Sequence, residues 1–273
     1  MTQTTARTPR AQGTAATTVP VVVAVANRKG GSGKTTTTLN LAGALAERGR
    51  RVLLCDLDPQ ASLTRLLLGD AVDERDGIGN RILNQQQGLD GLALALGDYI
   101  DLLPGDRAIE TAQFALSDNP RGPLILRRLL GPIRGYDVIL LDTPPALNLA
   151  LNSALLAATI AIIPTRLVQQ DIDALVDTIA LRDDLALDFT PAERLILLPN
   201  EFRRDSNDKA NIQALAASYT DMVATPIPHS VTVKHALNNR QPVVVYDGRS
   251  PVAQAYRQLA DRLEKEMAGG GQG

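Results

Sequence analysis

The chain has 273 residues, with a hydrophobic share of 44% and a charged share of 21%, enough apolar material to bury a sizeable core, and this excludes disorder of the whole. A formal net charge of -2 excludes a global attraction to nucleic acid, so any such contact has to come from a local cationic patch. One cysteine, Cys55 in the apolar run "VLLC", excludes an intrachain disulfide framework and fits a small buried hydrophobe in a reducing cytoplasm; no apolar run reaches the ~20 residues of a membrane span.

Residues 1–19, "MTQTTARTPRAQGTAATTV", are rich in Thr, Ala and Gln, carry Arg7 and Arg10 without an acid, and lack the apolar centre of a secretory signal, so they read as a disordered tail. After Pro20 short β-branched or leucine-rich runs alternate with longer amphipathic ones. Strands are predicted at "VVVAVAN" (21–27) and "RVLLCDLD" (51–58), with a helix between them that runs to about Arg48 and stops at Gly49. Residues 66–96, with Gly77, Gly79, Gly88 and Gly91 around "NQQQ", read as a loop and helix excursion outside the sheet. Further strands are predicted at 99–105, 136–145, 159–165, 194–200 and 223–228. A final helix over 250–267 carries Ala253, Tyr256, Leu259, Ala260 and Leu263 at helical spacing before the chain dissolves into "AGGGQG". Continuous apolar strands separated by helices predict one α/β domain over residues 20–267, a doubly wound, mostly parallel sheet with helices on both faces, followed by a flexible tail over 268–273.

"GGSGKT" sits between a predicted strand and a predicted helix, the context of a phosphate-binding loop. Glycines such as Gly30, Gly31 and Gly33 let consecutive backbone N–H groups point into one concavity, and the helix presents its positive end to an anion. Lys34 is then placed for the β and γ phosphates, Thr35 for Mg²⁺ through its hydroxyl, and Thr36 for the α phosphate. Asp56 and Asp58 in "LLCDLDPQASLT" fall at the C-terminal end of a strand and, by alternation, on one side of it. Either could instead cap the following turn. "YDVILLDTPPAL" is an apolar strand ending in Asp142, the form of a Walker B segment, and its carboxylate suits the octahedral shell of Mg²⁺.

The usual loop motif has Gly where this chain has Arg28, and the sequence reads "KGGSGKTT". This resembles the deviant Walker motif of the ParA and MinD family of ATPases, closest to its Soj-like ParA members; "DTPP" resembles that family's switch over Thr143, Pro144 and Pro145. The resemblance spans roughly residues 20–266. It implies a slow ATPase that uses ATP and Mg²⁺ and dimerises with ATP, with Lys29 reaching the nucleotide of the opposite subunit, as an arginine finger does elsewhere. It further implies that Asp58 positions the attacking water, that Asp56 supports the metal site, and that Asn200 and Pro228 flank adenine. Asn200 could also simply cap a turn.

Within the family, a MinD-like membrane ATPase would end in a basic amphipathic helix, and "DRLEKEMAGGGQG" is a poor match. An iron-protein reductase needs cysteines between subunits, and a ligase-type enzyme would lack Lys29 together with "DLDPQ" and "DTPP". A ParA-type partition ATPase implies nonspecific DNA, a ParB-like centromere-binding protein as partner, no membrane, and a cytoplasmic, nucleoid-associated setting. His229 and Thr232 replace arginines found in family members, but Arg203, Arg204, Lys209, Lys234 and Arg240 could rebuild a cationic patch, with His235 beside it. The same residues could be solvated surface charges, and an ATP-dependent regulator acting through a protein without DNA is the rival reading.

Overall fold

The structure is a computed structural model that describes residues 19–69, 76–84, 88–145 and 149–269. Seven strands form one sheet in the order β3-β4-β2-β5-β1-β6-β7, with β1 (Val21–Val25), β2 (Val52–Asp56), β3 (Leu94–Ala95), β4 (Ile100–Leu103), β5 (Val138–Asp142), β6 (Ile160–Arg166) and β7 (Arg194–Asn200). All neighbouring pairs are parallel except β3 with β4. Alternation along the central strands feeds two cores. Val23, Val52, Leu54, Val138 and Leu140 join one, and Ala24, Leu53, Cys55, Ile139 and Leu141 join the other. That is why these strands read as unbroken apolar runs.

Against the first face lie α1 (Lys34–Ala46), α9 (Val231–Asn238), α10 (Val243–Tyr246) and α11 (Pro251–Gly269); α11 buries Val252, Ala253, Tyr256, Leu259, Ala260 and Leu263 there. The other face carries α3 (Ile78–Leu83), α4 (Ala108–Leu116), α5 (Ile125–Leu130) and α6 (Leu149–Ala157). Beyond them α7 (Gln169–Leu185) and α8 (Ser206–Ser218) close a smaller core around Ile163, Leu175, Leu197 and Leu215, while α2 (Ser62–Leu68) follows β2. Among the described residues no helix is long and apolar enough to cross a membrane.

Three expectations need correction. Residues 66–96 are not wholly outside the sheet, because Leu94 and Ala95 turn back antiparallel onto Leu102 and Asp101 and form its edge. Nor is 223–228 a strand: it makes only isolated bridges, Leu197 with Val223 and Phe202 with Pro228, since Pro226 and Pro228 have no N–H to give a ladder. The tails lie outside the described residues apart from Val19, Ala268 and Gly269, and α11 continues to Gly269 rather than ending at 267.

Candidate functional site

β5 lies between β1 and β2, so Val25 at the end of β1 and Asp56 at the end of β2 both stand level with Asp142. The loop after β1 runs directly into α1, and the carboxyl ends of the three strands thus gather one lysine loop and two aspartates in the crevice where parallel sheets hold ligands. Gly31 and Gly33 take φ values of 73° and 97°, a left-handed conformation a side chain would resist. A Cβ at Gly33 would also lie 2.1 Å from Asn200 Nδ2. Lys34 Nζ donates to the Lys29 carbonyl at 2.9 Å, inside its own loop. Burial pushes the Lys34 pKa down, against the pull of Asp142 and Asp58.

Asp142 is buried and accepts from Thr35 Oγ1 at 2.7 Å and Thr38 Oγ1 at 3.3 Å. Burial raises its pKa, the facing Asp56 raises it further, and the Thr35 hydrogen bond and Lys34 lower it. Thr143 Oγ1 donates to the Val25 carbonyl, pinning the "DTPP" turn to β1, and Pro145 lies beside Gly30. Asp58 is half-buried and accepts from Gln60 N and Ser62 Oγ, so it shapes the turn into α2 while standing near Lys34. Asp56 departs from expectation. Its oxygens accept from Thr64 N, Thr64 Oγ1 and Asp58 N, and with no exposure it anchors α2 behind Asp142 rather than offering itself to a metal.

Asn200 and Pro228 do come together, on a cavity of about 330 Å³ that is also lined by Gly33, Thr36, Lys234 and Tyr256. Asn200 also has a contact unseen in the sequence: its Nδ2 donates to the Ser32 carbonyl and holds the loop from outside. Lys29 points elsewhere. Its Nζ sits 2.6 Å from Asp171 Oδ1 and 3.2 Å from Gln170 Oε1, both on α7, and Arg166 Nε grips the same carboxylate at 2.7 Å. Burial works to raise the Asp171 pKa, but hydrogen bonds from Arg166 and Lys29 outweigh it and hold it below the usual range. Sequence reasoning missed Asn27, which donates to the Pro164 carbonyl and accepts from Lys29 N, as well as Thr38, Thr64, Arg166 and Asp171. A buried Asn directly after an apolar strand was the one available signal; the others depend on long-range packing.

The cations do not form one cluster. Arg203 shares a cleft with Lys29 and Asp171, and Arg204 and Lys209 stand among Asp205 and Asp208. Lys234 borders the Asn200 cavity, while the Arg240 guanidinium rests at Gly69, where an added Cβ would come within 2.9 Å of Nη2. All five are exposed and none forms an ion pair among the described residues.

The residues fit a magnesium nucleotide. Among the described residues Ser32 Oγ is buried in the loop without a partner and Lys34 Nζ hydrogen-bonds a backbone carbonyl, while Thr35 with Asp142 offers two oxygens. Among the described residues no group of three or more His, Cys, Asp or Glu could hold a metal unaided, and Mg²⁺ commonly takes few protein ligands beside phosphates and water. Such a loop, strand order and carboxylate define a P-loop nucleotide hydrolase. A family profile described as an AAA domain matches residues 21–185. The chromosome-partitioning ATPase Soj of Thermus thermophilus is 33% identical, covering 88% of this chain and 94% of that protein, and the chromosome partitioning protein ParA of Caulobacter vibrioides is 30% identical, covering 88% and 92%. A structure of cobyrinic acid a,c-diamide synthase from Mycobacterium smegmatis with bound ADP and magnesium superposes with a TM-score of 0.78 at 28% identity, covering 92% and 96%. The chain belongs to the ParA/MinD family and is an ATPase whose cofactors are ATP and Mg²⁺.

Proposed function

We propose that this ATPase partitions DNA: with MgATP it forms a homodimer that binds DNA nonspecifically, and slow hydrolysis sets how long the DNA is held. The observation that carries the reading is the position of Lys29. Its amine is held by Asp171 on α7 and takes no part in its own phosphate loop, whose cation is Lys34, so it can serve a second subunit once Asp171 releases it. ATP with Mg²⁺ supplies the phosphoryl group that passes to water. Lys34 binds the β and γ phosphates, Thr36 the α phosphate, and the N–H groups of Gly30, Gly31 and Gly33 line the anion. Thr35 and Asp142 hold the metal side, Asp58 orients water, and Asn200 with Pro228 flanks the base. Lys29 from the partner neutralises charge that develops between the transferring and leaving oxygens.

The names of the Thermus and Caulobacter relatives, both chromosome-partitioning proteins, support a partition role; a ParB-like partner and a nucleoid-associated, cytoplasmic setting belong to the same proposal. Lys234 and Arg240 are exposed and form no ion pair among the described residues, whereas Arg203, Arg204 and Lys209 stand beside Asp205 and Asp208. The test is DNA binding to an arbitrary duplex, titrated with salt, in ADP, in ATP and in an Asp58→Ala variant held in ATP. Salt-sensitive binding confined to the ATP dimer is expected. A dimer that ignores DNA would favour the rival, a positioning or regulatory ATPase that acts through a protein, and full turnover by Lys29→Ala would refute the exchange of lysines.

A further inference from the structure

A buried asparagine joins the nucleotide helix to the cationic segment. Asn40 lies fully buried in the middle of α1 and uses both ends of its amide: Nδ2 donates to the Thr36 carbonyl at 2.7 Å, and Oδ1 accepts from Val243 N at 2.6 Å. Val243 is the first residue of α10, and its N–H has no partner within that helix. Three residues before it stands Arg240, at φ 56°, a strained value for a side-chain residue. One turn further along α1, Gly43 lets α10 pack down, since a Cβ there would lie 2.3 Å from Pro242 Cβ and 3.1 Å from Val244 Cγ2. The other side of the segment is also fixed: Arg240 rests on Gly69 at the end of α2, and α2 starts from Asp58 and Asp56 through Ser62 and Thr64. Two helices that begin at the nucleotide site therefore converge on residues 240–243.

We propose that Asn40 is a positioning residue that couples the nucleotide state at Thr36 to the placement of the Arg240 segment, so that ATP sets the geometry of the cationic surface as well as the subunit contact. This rests on the DNA-binding reading. A close-packed helix shifts as a body, and a side chain bonded at both ends transmits that shift to the backbone it holds.

The test uses full-length Asn40→Ala and Val243→Pro, singly and combined. Proline is tolerated at the first position of a helix, and Pro242 already has the extended ψ of 147° that a following proline requires, so Val243→Pro removes the N–H and leaves α1 intact. Dimerisation with a slowly hydrolysed ATP analogue is followed by sedimentation, and affinity for a labelled duplex by anisotropy. We expect dimerisation within about threefold of wild type, DNA binding weaker by about tenfold, and a double variant no worse than either single one. Should Asn40→Ala fail to fold, Val243→Pro decides alone. Wild-type DNA affinity in an intact dimer, additive losses, or dimerisation lost in step with DNA binding would each overturn the coupling. Failure of the wild-type ATP dimer to bind duplex is a different result, since it needs no variant and removes the function reading itself.

Discussion

Asp142 shows how a single residue sets conflicting demands. Its burial and the neighbouring Asp56 push its pKa up to about 8, so without ligand the folded chain holds a proton that the unfolded chain would release near pH 4. The sign follows: the folded state binds more protons between about pH 4 and 8, and apo stability falls as pH rises through that window. Asp142→Asn keeps the shape and removes the charge. It should flatten the pH dependence of urea melts, stabilise the apo protein at pH 8 by about 1–3 kcal/mol, and abolish Mg²⁺-dependent turnover. An unchanged slope between pH 6 and 8 would put the strain elsewhere.

At the scale of elements, α7 is the piece to which the phosphate loop is moored. Asp171 in its first turn takes Lys29 and Arg166 together, Thr178 accepts from Arg28 N, and Asp177 pairs with Arg28. If Lys29 has to leave Asp171 to serve a partner, the moored form taxes dimerisation by the fraction of subunits it occupies. Asp171→Asn should therefore lower the subunit concentration at which ATP-dependent dimers form by about three- to tenfold in sedimentation, where weaker dimerisation would count against the mooring. This part of the site was closed to sequence reasoning. The loop, its lysines and the apolar strand before Asp142 are local patterns, and so they were legible. Asp171 meets Lys29 only because β1 and β6 are neighbours, a fact of pairing and not of composition. Likewise β3 is too short to show alternation, and Asp56 reads like Asp58 until Thr64 is seen to cap it. Residues 223–228 carried apolar side chains fit for a strand, and two prolines overruled them.

For the whole molecule, the net charge of -2 makes DNA binding a matter of arrangement. Lys234 and Arg240 from each of two subunits would present four cations, and counterion release then predicts a slope of about -3.6 for the log association constant against log salt. Replacing both with Ala should remove most of that slope when binding is measured at saturating ATP, since Lys234 also borders the base cavity; a slope that persists would move the contact to Arg203, Arg204 and Lys209. The apolar face of α11 is already spent on α1, with Arg48 and Arg257 tying the two together through Asp261 and Glu47.

The grip of Asp171 on Lys29 carries a kinetic consequence. If each site takes its second lysine from the other subunit, as proposed above, a lone subunit whose Lys29 rests on Asp171 would complete no site, however much ATP surrounds it. At low abundance the total rate of hydrolysis would then grow with the square of the amount of protein, because each productive site needs an encounter. On that reading the ATPase would be silent when sparse and active when crowded, and its output would report how many copies share the same small volume.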